Sequence, residues 1–202
     1  RLRAEKYHHQ KVAKARLLMV DDLKEDGLLI KVNENYTHRI GTCYRDGSVI
    51  EPLPLEQWFI KVKPLVAQAK KLVKSSKIKV YPKRFEKHLV SILDNFIDWN
   101  VSRQIVWGIR IPAWQCEECK NWTITKGELP KHCSKCNSVK IKQDEDTFDT
   151  WFSSGQWPFA TLMTQEKGLY EYFYPTSVME TGYDILRAWV ARMIMIGYFA
   201  TD

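Results

Sequence analysis

Cys116-Glu117-Glu118-Cys119 and Cys133-Ser134-Lys135-Cys136 stand apart by the thirteen residues 120–132. Four thiols in two Cys-x-x-Cys pairs match the tetrahedral preference of Zn²⁺, because a two-residue spacer lets both sulfurs of a pair face one ion. The spacing predicts a small ribbon over residues 113–145, pinned by one structural zinc on Cys116, Cys119, Cys133 and Cys136. Four protein ligands close the shell, which leaves the metal no catalytic position. Lys131, His132 and Lys135 beside the sulfurs favour thiolates. Two alternatives stand beside this reading: His132 in place of one cysteine, which its adjacency to Cys133 disfavours, and four unligated thiols in a reduced protein.

Outward from the knuckles, the 202 residues hold 45% apolar and 27% charged residues, ordinary for a soluble globular chain of one large or two small domains. Arg1 to Lys14 is polar and basic, unlike a secretory signal. The most apolar stretch, Tyr183 to Ala200, contains Asp184, Arg187 and Arg192, which argues for a buried helix and against a membrane span. Four of the five cysteines sit in knuckles and Cys43 stands alone, which suits the cytoplasm. The net charge of +7 is uneven: residues 1–140 hold 27 Lys/Arg against 15 Asp/Glu, and residues 141–202 hold 4 against 9. The densest zone, Lys61 to Lys87, has ten Lys/Arg opposed by Glu86 alone, a field that favours nucleic acid or forms a solvated lysine face.

Apolar periodicity predicts helices over His9–Asp26, closed by Gly27, over Lys63–Lys74, and over Arg84–Trp99 after Pro82. Alternating runs at Leu28–Val32, Tyr36–Thr42, Ser48–Glu51 and Glu56–Val62 predict strands joined by turns. Val101–Trp114 reads as buried, and a strand at Thr176–Met179 leads into a long helix from Tyr183.

Trp151, Trp157 and Trp189 all fall in the last third. Aromatic walls with one carboxylate make a pocket for a small apolar amine, although each tryptophan taken alone is better explained by core packing. Asp184 follows Thr181-Gly182 at a strand-to-helix junction, near the positive end of a helix dipole, and is otherwise an ordinary first-turn residue. Gly182 permits close approach of backbone to a ligand.

Taken together, several segments resemble the class I aminoacyl-tRNA synthetases, most closely their valine-specific branch. They are Ile50-Glu51-Pro52-Leu53 with Glu56-Gln57-Trp58-Phe59, Asp98-Trp99 with Ser102-Arg103-Gln104, and Trp107-Gly108 with Arg110-Ile111-Pro112-Ala113-Trp114. Asp149-Thr150-Trp151-Phe152-Ser153-Ser154-Gly155 with Trp157-Pro158-Phe159, and Thr181-Gly182-Tyr183-Asp184-Ile185 through Met195, complete the set. The resemblance implies an α/β fold: the second half of a Rossmann-type catalytic domain with an inserted zinc ribbon and the C-terminal part of an editing insertion. It divides the chain into 1–55 (editing insertion), 56–112 (basic return to the core), 113–145 (ribbon) and 146–202 (catalytic half).

By the same resemblance, Trp151, Asp184, Ile185 and Trp189 hold valine, Thr181 and Gly182 lie at ATP, and the reaction joins valine to tRNA(Val) using ATP with Mg²⁺. The protein is then a cytoplasmic monomer. Neither a His-Ile-Gly-His nor a Lys-Met-Ser-Lys-Ser signature is present, so the resemblance implies an internal piece with no catalytic residue of its own and no activity in isolation. The chain departs from the pattern at Asp46, where a second knuckle cysteine is common, at Ile109, where histidine is usual, and at Arg187-Ala188, where two aromatics are common. A non-catalytic zinc-ribbon module that binds tRNA is the second reading.

Overall fold

His9 has a φ of +61°, a left-handed backbone that no helix runs through, so the first segment breaks there. A short helix α1 (Ala4–Tyr7) precedes it and α2 (Val12–Glu25) follows. The buried Asp22 of α2 pins α1 by bonds from Lys6 Nζ and Tyr7 Oη. Gly27, with a φ of +67°, ends α2 by letting the Leu28 N–H return to Leu23 O at 2.9 Å. The computed structural model describes residues 4–201, and its contacts divide the chain between Pro54 and Leu55 into two units.

The strands expected over Leu28–Val32, Tyr36–Thr42 and Ser48–Glu51 do not form. A strand needs a hydrogen-bonded neighbour, and among the described residues of the first unit pairing is limited to one bridge, Thr42 to Val49. That bridge closes a tight turn in which Cys43 N–H donates to Ser48 O (2.8 Å) and Gly47 N–H to Cys43 O (2.9 Å). Gly47 has a φ of +72°, and Asp46 Oδ1 accepts from the Ser48 N–H (3.0 Å) and hydroxyl (2.7 Å).

In the second unit β1 (Phe59–Ile60) leads into α3 (Lys63–Lys74), where Pro64 occupies the first turn, a place that needs no N–H. Ala69 and Val73, four apart, turn one stripe of α3 inward and leave Lys63, Lys71 and Lys74 outside. Next, α4 (Arg84–Asp94) buries Leu89 and Leu93 in the same way. It ends at Asn95, whose side chain and N–H both turn back to Ser91 O. The helix expected to reach Trp99 therefore stops short, and Trp99 lies in β2 (Trp99–Asn100), paired antiparallel with β1.

After β3 (Ser102–Arg103) the chain leaves for the ribbon: β4 (Ala113–Cys116), β5 (Trp122–Ile124) and β6 (Ile141–Gln143), antiparallel in the order β5-β4-β6. It returns in β7 (Thr147–Phe148), which pairs antiparallel with β3. Residues 105–110 were expected to be buried and are exposed, Val106 and Trp107 almost fully. Their loop crosses Thr147 so closely that a Cβ on Gly108 (φ +154°) would meet the Thr147 Cβ at 2.8 Å.

The chain ends in α5 (Thr150–Met163), α6 (Leu169–Phe173), a 3₁₀ turn (Tyr183–Ile185), a π turn (Leu186–Val190) and α7 (Ala191–Thr201). No strand forms at Thr176–Met179. The long helix from Tyr183 begins as two irregular turns, since Thr181, Gly182 and Asp184 favour tight local bonding over helix. Leu186, Val190, Ala191, Ile194 and Met195 close the main core with Val62, Ala69, Val73, Leu89, Leu93 and Val101. Every named strand pair is antiparallel. Among the described residues no helix is long and apolar enough to cross a membrane.

Candidate functional site

Each ribbon knuckle closes with the same two backbone bonds. Cys116 N–H donates to Asn121 O (2.9 Å) and Lys120 N–H to Cys116 O (3.0 Å); Cys133 N–H donates to Ser138 O (2.8 Å) and Asn137 N–H to Cys133 O (3.1 Å). Lys120 and Asn137 both take positive φ, +58° and +61°, which turns the chain sharply after each second cysteine. The result gathers four sulfurs within 4.8 Å of one another, with Cys116–Cys136 at 3.5 Å and Cys119–Cys133 at 3.6 Å.

Sulfurs about 2.3 Å from a shared tetrahedral ion lie roughly 3.8 Å apart, so these dimensions fit a thiolate-bound metal ion. The backbone prepares the charge. N–H groups of Cys136 and Lys135 hold the Cys133 thiol down to about 6, and the N–H of Cys119 lowers Cys116. At Cys136 the Ser138 N–H also pulls down, but the sulfurs of Cys119, Cys116 and Cys133 outweigh it and push the thiol up to about 12. Packed thiolates repel; a dication between them removes the conflict. The ribbon is docked by Trp58, which meets Trp122 edge-on at 5.0 Å and donates its indole N–H to Asp144 at 2.8 Å.

The second candidate site is a cleft of about 550 Å³ beside α5, lined by Thr150, Ser153, Ser154, Trp157, Trp189 and their neighbours. Trp189 stands in the π turn, half-buried, and donates its indole N–H to Ser154 O at 2.9 Å. Trp157 forms another wall and is more than half exposed. Trp151, in the first turn of α5, packs against the main core and is not among the residues lining this cleft. Asp184 is exposed in the 3₁₀ turn, and its Oδ1 folds back over Gly182, where an added Cβ would meet it at 2.4 Å. Thr181 and Ile185, on either side, are half-buried. Thus Trp189 is brought to the start of α5, while Thr181, Gly182, Asp184 and Ile185 form one run leading into its turn.

Sequence reasoning did not single out Asp149, yet this buried carboxylate organises the region. It accepts from the Trp99 indole N–H (2.9 Å) and the Trp151 N–H (3.2 Å), and it pairs with Arg103 (2.8 Å). The readable signal was an aspartate placed one residue before a helix, the N-cap position. Arg192 lies 4.5 Å from the Trp99 ring; burial lowers its pKa, opposed by the charge of Asp149. A separate groove of about 1110 Å³ runs along α3, edged by Lys63, Lys70, Lys71 and Lys74 over Val66 and Ile97. Its two carboxylates are engaged, Asp94 with Lys70 and Asp98 with the Val62 N–H.

A family model described as class I tRNA synthetases (I, L, M and V) matches residues 6–202. The chain belongs to the class I tRNA synthetases. It is 48% identical over 184 residues to a valine–tRNA ligase of Petrotoga mobilis, covering 91% of this chain and 21% of the relative. It is 46% identical over 195 residues to that of Clostridium acetobutylicum (96% and 22%). Against that of Symbiobacterium thermophilum it is 49% identical over 177 residues (87% and 19%). The chain spans about a fifth of the length of the curated relatives it matches. For a class I synthetase chain, the family match extends far beyond the four-cysteine ribbon, so the aromatic cleft and α3 groove fall inside it.

Proposed function

We propose that the chain is part of a valine–tRNA ligase, which activates valine with ATP and Mg²⁺ and transfers it to tRNA(Val). The observation that carries this is identity of 46% to 49% with valine–tRNA ligases over most of the chain. In this reading the second unit supplies the later half of a Rossmann-type catalytic domain, interrupted by a zinc ribbon, and the first unit belongs to an editing insertion. Trp151, Ile185 and Trp189 enclose the valine side chain, Asp184 pairs its ammonium, and Thr181 and Gly182 approach the adenosine. The exposure of Asp184, whose carboxylate lies over Gly182, supports a polar ligand at that turn.

Zinc on the four cysteines serves as a cross-link and takes no part in the chemistry, which is positioning and electrostatic. An apolar pocket rejects a hydroxyl isostere of valine poorly, a case the valyl enzyme itself illustrates, and this gives an editing insertion its purpose. The lysine-edged groove on α3 offers tRNA phosphates a seat, its carboxylates being already engaged. The protein acts in the cytoplasm as a monomer.

Calorimetry with a non-hydrolysable valyl-adenylate analogue tests this reading. Binding is expected, weakened at least about tenfold by Asp184→Asn, while the 202 residues alone give no valine-dependent ATP–pyrophosphate exchange. No binding by the chain, or robust exchange, overturns it. For the groove, removing Lys63, Lys71 and Lys74 together should lower the slope of log affinity for tRNA against log salt by about 2.

A further inference from the structure

Pro158 lies inside α5, where it has no N–H to give the carbonyl four residues back. That carbonyl belongs to Ser154, and it is the one that receives the Trp189 indole N–H at 2.9 Å. A proline ring also crowds the carbonyl at this distance along a helix and tilts it outward. On the opposite side, Trp189 sits in the π turn Leu186–Val190, a wider winding that is rare and recurs at functional sites. Two departures from regular helix, one in each element, therefore meet in a single hydrogen bond. Without the proline, the amide of residue 158 would compete for the same oxygen, and a half-buried indole N–H would lose its partner.

We propose that Pro158 is a positioning residue: by leaving the Ser154 carbonyl free, it fixes the Trp189 indole as a rigid wall beside the start of α5 and so sets the size of side chain that packs against that wall. The ligand's identity rests on the valine reading above; the hydrogen bond does not. Pro158 and the neighbouring Phe159 are buried, so the proline ring itself stays away from the ligand.

Pro158→Ala in the 202-residue chain tests the device. With indole ¹⁵N labelling, the Trp189 N–H should exchange about tenfold faster and its resonance should move. The melting temperature should rise, because a proline leaves a helix interior. Affinity for the valyl-adenylate analogue should nevertheless fall about tenfold, with a narrower preference over the isoleucyl analogue. Stability and affinity moving in opposite directions separate positioning from a merely structural role.

Trp189→Phe, which keeps a ring and removes the N–H, should match the affinity loss, and the double variant should be no worse than either single one. An indole still protected in Pro158→Ala overturns the proposal, as does a freed indole with unchanged affinity and preference. If the unaltered chain ignores the analogue while Pro158→Ala still frees the indole, the valine reading falls and the anchor stands.

Discussion

Cys43–Ser48 and the two ribbon knuckles fold their backbones alike. In each, the first cysteine donates to the residue five places on, the residue four places on donates back to the cysteine carbonyl, and that residue has positive φ. They differ at the fourth position: Cys119 and Cys136 in the ribbon, Asp46 in the first unit. With cysteine there, the turn presents two sulfurs to a second turn and depends on what lies between them. With aspartate, the carboxylate bends inward onto the Ser48 N–H and hydroxyl, and the turn supplies its own cross-link. The comparison separates the frame, which local sequence builds, from the filling, which decides whether a metal is needed.

The largest expected break is on the ribbon side. Cys119→Ser should take bound zinc from about one equivalent per chain to near zero and unfold residues 113–145, since metal binding and folding are coupled in such sites. Metal analysis together with amide exchange checks this, and exchange at Ser48 should not change. Asp46→Cys should convert the third turn towards the ribbon type and add a second, weaker metal equivalent that a mild chelator removes first, because only two thiolates are on offer. Cobalt absorption reads the difference.

Acid should order the two kinds of turn. Bonds from the Ser48 hydroxyl, then its N–H, then Cys43 hold the Asp46 carboxyl below its ordinary 3.8. Its contribution is therefore complete above 3.8 and is lost only as pH falls through the lowered folded value. The ribbon should release metal at higher pH, as protons compete for thiolates. A titration following metal release and Ser48 exchange together should show the metal leaving first. The smallest effect belongs to Asp46→Ala, which should speed Ser48 exchange several-fold and leave metal content unchanged; unchanged exchange would show that the carboxylate does not hold the turn.

Much of this was readable in the sequence. The knuckles were, because metal ligands repeat at fixed local spacing, and so was α3, whose stripe and lysines separate cleanly. The runs Leu28–Val32 and Tyr36–Thr42 misled, because alternation shows only that a strand is possible and pairing depends on a distant partner. The expected helix over Arg84–Trp99 lost its last turn at Asn95, whose side chain joins its own N–H on Ser91 O and caps the helix there. At the cleft, Trp189 was visible as an aromatic near polar residues. Its anchor was not, since linking Pro158, Ser154 and Trp189 requires knowing that α5 and the π turn lie side by side. Asp149 was hidden for a similar reason: two of its partners, Trp99 and Arg103, lie more than forty residues away.

The pairing of β3 with β7 has a wider consequence. Ser102 faces Phe148 and Arg103 faces Thr147, so the strand entering the ribbon and the strand leaving it are fastened side by side. The excursion between them starts and ends at one neck and is held a second time by Trp58, through Trp122 and Asp144. Because the chain re-enters the core beside its point of departure, the far end of the excursion can vary in length without displacing Asp149 or the start of α5, provided the neck and the Trp58 contact are kept.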